Sequence, residues 1–430
     1  MQIDNLNITI VGLGYVGLPL AVEFAKKYRV IGFDIDMRRI NELKNGYDRT
    51  GEIDRPQLTS VLSNSRTTFT GLLLTDNPEV MRFCSIYIVT VPTPITTFKS
   101  PNLQYLLAAT KIIGNLLKKE DIVIYESTVY PGCTEEDCVP VLEEASGLTY
   151  NRDFFCGYSP ERVNPGDKKH TIKTIKKVVS GSTPAIAEKI AKIYASIIPA
   201  GIYKASSIKI AEASKAIENA QRDVNISFVN ELALIFDKMG IDTQEVLEAA
   251  ATKWNFLKFK PGLVGGHCIS VDPYYLLHKS QCLGYNPRVI LSGRSVNDEM
   301  GRFVASKVVK LMIQKNILIA NSKVLILGFS FKENCPDIRN TKVMDVIYEL
   351  NDFGVNVDVY DPHVLRDEAL QEYKISLLEK MPSFTNYNGI IVAVAHDEFK
   401  QLDFSFIKKY PIVLFDVKGI IDKELVHGRL

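Results

Sequence analysis

The first strand, the glycine loop behind it and the second strand restrict the fold more than any other part of the chain. Asn7-Ile8-Thr9-Ile10-Val11 reads as a short apolar strand, and Gly12-Leu13-Gly14-Tyr15-Val16-Gly17 follows at once. Leu18 to Lys27 reads as a helix, and Val30-Ile31-Gly32-Phe33 as a second strand ending at Asp34. Strand, glycine loop, helix and strand form a βαβ unit, the start of a doubly wound parallel sheet. The glycines allow a tight turn. They also let a pyrophosphate rest on a helix N-terminus, where unpaired N–H groups and the helix dipole favour negative charge. Asp34 lies 22 residues after Gly12, placed to accept hydrogen bonds from a ribose. A carboxylate there repels a 2′-phosphate, which favours NAD over NADP. Arg39 keeps the second reading open, because a nearby arginine can hold that phosphate. Gly12, Leu13, Gly14, Tyr15, Val16, Gly17, Asp34 and Arg39 are therefore candidate cofactor residues.

Further strands are expected at 85–89, 122–125 and 154–156, each followed by a loop. Open parallel sheets bind ligands outside the carboxyl ends of their strands. Thr93 and Thr128, on two of these loops, are candidates to touch the cofactor or the reacting carbon. Threonines also serve ordinary turns. In Gly157-Tyr158-Ser159-Pro160-Glu161-Arg162-Val163, Glu161 suits a base or a residue that positions water, and Arg162 an anion contact. By itself a Glu-Arg pair is more often solvated surface.

The chain has 430 residues, enough for two or three domains. Its formal net charge of +1 implies no general attraction to nucleic acid or membranes, so any anion site is local. Seven scattered cysteines argue against a disulfide framework and for a reducing compartment. Cys133 and Cys138 have no accompanying metal-ligand pair and read as small apolar residues, so no metal is expected. No apolar run approaches the about 20 residues of a membrane span, and the apolar N-terminus lacks the basic start of a signal peptide. The expectation is a cytoplasmic protein.

Ser206 or Ser207 can cap a helix running to about Met239, stopped by Gly240. Such a helix exceeds what one domain needs, and predicts a spine with a face left for a second subunit. Lys215 and Asn219, four residues apart, project from one side of it, and Ala211, Ala213 and Ala216 give Lys215 an apolar setting. Downstream, a loop from Thr252 to Gly262, with Trp254 and Lys260, leads into Gly265-Gly266-His267-Cys268-Ile269-Ser270-Val271-Asp272. A cysteine in a glycine-rich turn is how a thiolate nucleophile is presented. A buried structural cysteine is the commoner case for an isolated one. Here the dinucleotide loop and the Lys215–Asn219 pair favour the nucleophile.

After Asn316 a second α/β pattern begins, with strands at 323–328, 356–361, 390–394 and 412–415. It repeats the first in outline. Yet Gly328-Phe329-Ser330-Phe331-Lys332 lacks the further glycines, and offers Lys332 and Arg339 as phosphate partners. The expected fold is α/β: two Rossmann-like doubly wound parallel-sheet domains joined by a central helical domain with one long helix. The expected boundaries are 1–200 for NAD binding, 201–316 for the helical dimerisation domain with the cysteine loop, and 317–430 for a second α/β domain that holds a nucleotide-linked substrate.

With these segments in order, the chain resembles the UDP-glucose/GDP-mannose dehydrogenase family over essentially its whole length. The matching stretches are Gly12 to Gly17, Glu126-Ser127-Thr128, Ser159-Pro160-Glu161, Lys215 with Asn219, Gly265 to Asp272, and Gly328 to Lys332. The resemblance implies a four-electron oxidation of a sugar C6 alcohol by two NAD. It makes Cys268 the nucleophile, which captures the aldehyde as a thiohemiacetal and then carries the acid as a thioester. It makes Lys215 the oxyanion partner with Asn219 beside it, and gives protons and water to Asp272, Glu161 and Thr128. Lys332 is then a substrate contact and Arg339 a cofactor contact. Glu161, Arg162, Lys215, Asn219, Lys260, Gly265, Phe331, Lys332 and Lys418 form the implied substrate set; Lys418 stands where relatives often carry arginine. The segments at Ser159 to Gly166 and Gly266 to Tyr275 are similar to the branch acting on UDP-N-acetylhexosamines for surface polysaccharides. Within it, Thr252-Lys253-Trp254-Asn255-Phe256 is similar to the enzymes making UDP-N-acetylglucosaminuronate or its galacto epimer; UDP-N-acetylglucosamine is the expected substrate, with the galacto or manno epimer as the alternative. An alcohol dehydrogenase stopping at the aldehyde, and a catalytically silent nucleotide-binding assembly protein, are the competing classes.

Overall fold

The computed structural model describes residues 6–63, 70–96, 98–163, 169–266 and 269–430. The chain packs as two compact units, Met1–Glu218 with Tyr274–Leu283, and Asn219–Pro273 with Gly284–Leu430.

The first unit holds an eight-stranded sheet: β1 (Asn7–Val11), β2 (Arg29–Phe33), β3 (Gly71–Thr75), β4 (Ile86–Val89), β5 (Ile122–Tyr125), β6 (Phe155–Tyr158), β7 (Lys177–Gly181) and β8 (Ile202–Lys204). Their spatial order is β3-β2-β1-β4-β5-β6-β7-β8. The first six follow the doubly wound order whose switch point, between β1 and β4, is where dinucleotides lie. β4 and β5 are buried along their whole length, as expected of strands covered by helices on both faces. The sheet is not wholly parallel. β7 runs antiparallel to β6, through Gly157↔Gly181 and Tyr158↔Ser180. Side chains fasten the reversed pair: Ser159 Oγ donates to Val178 O at 2.9 Å, and Ser180 Oγ to Tyr158 O at 2.8 Å.

The second unit holds five parallel strands: β9 (Lys323–Leu327), β10 (Asn356–Tyr360), β11 (Gly389–Val392), β12 (Val413–Asp416) and β13 (Gly428–Arg429). Their order is β10-β9-β11-β12-β13. The turn after β9 copies the turn after β1. Gly12 (φ +93°) and Gly328 (φ +97°) both adopt left-handed backbone. Gly12 N donates to Phe33 O and Gly328 N to Tyr360 O, each at 2.8 Å. An aspartate then closes each turn: Asp34 accepts from Leu13 N at 2.9 Å, and Asp361 from Phe329 N at 2.7 Å and Ser330 N at 3.0 Å. The copies diverge in what surrounds the aspartate. Asp361 is buried against His396. His396 Nδ1 accepts from Asn334 N at 2.9 Å, so Nε2 carries the proton and donates to Asp361 at 3.0 Å. Burial would raise the Asp361 carboxyl, but His396 and the backbone N–H groups outweigh it and hold the group at about 2. Phe329, fully buried, fills the second turn with side chain.

The long helix is Ile208–Met239, about 48 Å at 1.5 Å per residue. Ser207, not Ser206, caps it: Ile210 N donates to Ser207 Oγ at 3.2 Å. Gly240, at φ +69°, ends it. No helix among the described residues is long and apolar enough to cross a membrane.

Candidate active site

In the first unit the sequence-predicted residues gather at the carboxyl edge of the sheet. Gly14 is exposed, and a Cβ added there meets nothing within 4 Å. At Gly17, where the next helix starts, a Cβ would stand 1.8 Å from Gly12 O and 2.4 Å from Thr90 Oγ1. The loop is therefore pressed against its own backbone behind and open in front. An open backbone cradle at a helix N-terminus fits the pyrophosphate of NAD. Asp34, half-buried at the end of β2, takes Leu13 N on one oxygen and Asp36 N on the other at 2.9 Å. Each oxygen keeps a lone pair for a ribose hydroxyl.

Arg39 does not stand ready for a phosphate. It is buried under the loop, with Nε donating to Leu13 O at 2.9 Å and Nη2 to Asp48 at 2.7 Å. That geometry makes it a buttress of the turn. Arg162 is committed in a similar way, to Glu218 at 2.9 Å and Lys176 O at 2.8 Å. A guanidinium engaged on two sides holds its loop rather than an outside anion.

Thr93 is buried, and its hydroxyl donates to Thr128 O at 2.7 Å. Tyr275 OH, which no sequence motif marks as a site group, donates to Thr93 O at 3.0 Å. The two residues thus set the loop that carries Thr128. Glu161 follows β6 and lines a cavity of about 520 Å³ together with Tyr15 and Val16 of the glycine loop. Its Oε1 accepts from Arg162 N at 2.6 Å and Val163 N at 2.5 Å. Lys215 is buried on the long helix. Burial would raise the Glu161 carboxyl, but Lys177, Val163 N–H and Lys215 hold it below its ordinary value. Glu161 is thus a carboxylate with an ammonium of the long helix within its field.

In the second unit Asn219 and Asp272 are both buried, and Asn219 Nδ2 donates to Asp272 Oδ2. Cys268 and His267 lie outside the described residues. Their neighbours do not. Gly266 has φ +91°, and a Cβ there would lie 2.7 Å from the Phe331 ring; at Gly265 it would lie 2.7 Å from Asn340 O. Gly266 O accepts from Asn340 Nδ2 at 3.1 Å and from Ser270 Oγ at 2.5 Å. Phe331 and Asn340 therefore press directly on the glycine pair. Asn340 had no sequence signal beyond its type.

Lys260 and Lys418 line one cavity of about 420 Å³ with Phe256 and Phe259. Loss of hydration lowers the Lys418 ammonium, and Lys260 lowers it further. Trp254 is 92% exposed, while Phe256, Lys258, Phe259, Lys260 and Pro261 of the same loop line that cavity. Arg339 is forked onto Asp337, with Nε–Oδ1 at 2.9 Å and Nη2–Oδ2 at 2.5 Å. Lys332 is half-buried on the loop after β9. Among the described residues, His363, His396 and Glu398 bring ligand atoms within 4.8 Å of one another. Both His396 nitrogens are already engaged, by Asn334 N and Asp361, so this cluster serves the fold.

Comparison with known proteins decides the family. The NAD binding domain of the UDP-glucose/GDP-mannose dehydrogenase family matches residues 6–198, its central domain 209–299 and its UDP binding domain 325–423. The chain belongs to the UDP-glucose/GDP-mannose dehydrogenase family. Like other dehydrogenases of this family it is an oxidoreductase that uses NAD, which the glycine cradle fits. The UDP-N-acetyl-D-glucosamine 6-dehydrogenase of Pseudomonas aeruginosa is 55% identical over 99% of this chain and 100% of its own. The Salmonella typhi protein of the same name is 54% identical over 100% of this chain and 99% of its own. A solved UDP-D-ManNAc dehydrogenase of Pyrococcus horikoshii superposes with a TM-score of 0.87 at 30% identity, over 99% of this chain and 98% of its own.

Proposed function

We propose that this dehydrogenase oxidises the C6 alcohol of UDP-N-acetyl-D-glucosamine to the uronate. The observation that carries the chemistry is the shared cavity of the glycine loop and Glu161, with Lys215 in the field of that carboxylate. Identity of 54–55% along the whole length to two relatives of that specificity supports the sugar, against 30% to a solved relative named for the manno epimer. The balance is R–CH2OH + 2 NAD⁺ + H2O → R–COO⁻ + 2 NADH + 3 H⁺. NAD, when bound, accepts the hydride in each oxidation. Lys215, with Asn219 one turn along the helix, stabilises the oxygen that gains charge. The Cys268 thiolate adds to the C6 aldehyde carbon, and after the second oxidation C6 is held as a thioester. Thr128 orients a water and Glu161 and Asp272 manage its protons, so that the C–S bond breaks and the thiol is regenerated. The competing epimers differ at C2 or C4, and a pocket wall around Phe256, Phe259 and Lys260 suits discrimination of the acetylated hexose.

The test is to supply NAD with each UDP-N-acetylhexosamine and count NADH per sugar consumed. Two NADH and an acid product are expected, with the gluco substrate giving the highest kcat/KM. One NADH per sugar would remove the thioester route, and a clear preference for another epimer would correct the substrate. The reducing setting of a cytoplasmic surface-polysaccharide enzyme agrees with free thiols at Cys84, Cys133, Cys138, Cys156, Cys282 and Cys335.

The long helix also leaves Ile210, Ile217, Phe228 and Ile235 exposed, at spacings that repeat along one side. A second copy of this chain is the partner expected there, as a homodimer. Sedimentation at micromolar concentration is expected to give twice the 48.2 kDa chain mass, and Phe228→Glu to shift it toward monomer. A wild-type monomer would exclude this interface.

A further inference from the structure

We propose that Lys177 is a positioning residue for the reaction, holding the Glu161 carboxylate in its working orientation through a buried network with Glu126 and Tyr194. This rests on the reading of Glu161 as a group at the reacting carbon. Lys177 Nζ lies 2.7 Å from Glu126 Oε2 and 3.3 Å from Glu161 Oε2. Tyr194 OH donates to the other Glu126 oxygen, and its ring lies 5.6 Å from the ammonium. Side-chain exposure is 4% for Lys177 and 0% for Glu126, but 13% for Glu161. One ammonium therefore answers two carboxylates, and only one of the two faces the cavity.

The reversed strand makes this possible. Lys177 is the first residue of β7, and in a wholly parallel sheet it would lie at the edge opposite the glycine loop. Because β7 is antiparallel to β6, its start meets the loop that leaves the end of β6. Glu161 is then held from both sides: Oε2 by Lys177, and Oε1 by the N–H groups of Arg162 and Val163. A pair serving the fold alone would need one carboxylate. Burying a second, aimed at the cavity, is costly unless it has a use. Burial alone would lower the Lys177 ammonium, but Glu126 and Glu161 outweigh it and raise it, so Lys177 stays charged throughout the working range. Burial raises Glu126 despite Lys177. Among the described residues, the charged groups facing Glu161 are Lys177 on β7, Glu126 after β5 and Lys215 on the long helix; Glu23, Glu52, Asp54 and Lys173 share its cavity.

The experiment follows NADH formation from NAD and UDP-N-acetyl-D-glucosamine, between about pH 4 and 9.5, for Lys177→Met, Lys177→Arg, Lys177→Met/Glu126→Gln and Glu161→Gln. Lys177→Met is expected to lower kcat about 100-fold at neutral pH and leave the KM for NAD within about twofold. Without the ammonium Glu161 protonates at a higher pH, so the acid limb of the kcat profile moves upward. Lys177→Arg keeps the charge and is expected to hold the limb in place. Lys177→Met/Glu126→Gln removes one carboxylate with the ammonium, which lets it fold should Lys177→Met not do so, and it is expected to show the same upward limb. Wild-type kcat with an unmoved limb in either folded variant overturns the proposal. Full turnover in Glu161→Gln removes the reading of Glu161 itself, and the proposal with it. Loss in Glu161→Gln beside unaltered Lys177 variants overturns the proposal alone.

Discussion

Cys268→Ser is expected to reduce acid formation by at least about 10³-fold while UDP-sugar and NAD still bind. A thiol ionises near pH 8.5 and its thiolate adds readily to a carbonyl, whereas an alcohol at that place needs a base to act at all. The neighbours make this a clean substitution. Gly265 and Gly266 are pressed on Phe331 and Asn340, and Ser270 closes onto Gly266 O, so the described residues on either side have fastenings of their own. Calorimetric titration with the UDP-sugar separates binding from turnover. Full activity in the serine variant would leave Cys268 a packing residue and sink the covalent route.

The second large effect is expected at Gly17. Its added methyl would have to sit 1.8 Å from Gly12 O, a backbone atom that cannot swing away, and 2.4 Å from Thr90 Oγ1. Thr90 Oγ1 itself donates to Gly12 O at 2.7 Å, so the whole turn is clamped. Gly17→Ala is therefore expected to distort the cradle, weaken NAD binding by more than about 100-fold and cost about 3 kcal/mol of stability, the upper end of ordinary overpacking. Gly14→Ala is the control. Its methyl meets no protein atom within 4 Å, so its melting temperature should match the wild type. Calorimetric NAD titration and thermal melts of both variants decide the matter, and unchanged NAD affinity in Gly17→Ala would contradict the clamp.

Much of the fold could be read without coordinates, because its signals are local. A strand, a glycine turn, a helix and an aspartate at the end of the next strand lie close together in the chain, and each step follows from backbone sterics and periodicity. The long helix was legible for the same reason, down to its stop at Gly240. Lys215, Asn219 and Asp272 were legible as types and spacings, and the structure shows that Asn219 and Asp272 are bonded. Other parts of the site were not legible, because a side chain's identity does not say what it already holds. Arg39, Arg162 and Arg339 each looked like an anion ligand, and each is engaged by a carboxylate of its own unit. Trp254, the chain's single tryptophan, faces solvent, while Phe256, Phe259 and Lys260 of the same loop line a cavity.

Sequence alone settled the dinucleotide loop, the α/β class and the family to which the chain belongs, since those depend on residues near one another in the chain. Tertiary structure alone decided the direction of β7, and with it that Lys177, which reads as an ordinary lysine at a strand start, meets Glu126 and Glu161. The reason is that strand direction is set by pairing between distant segments, and a reversal carries a side chain to the opposite edge of the sheet without altering any local pattern.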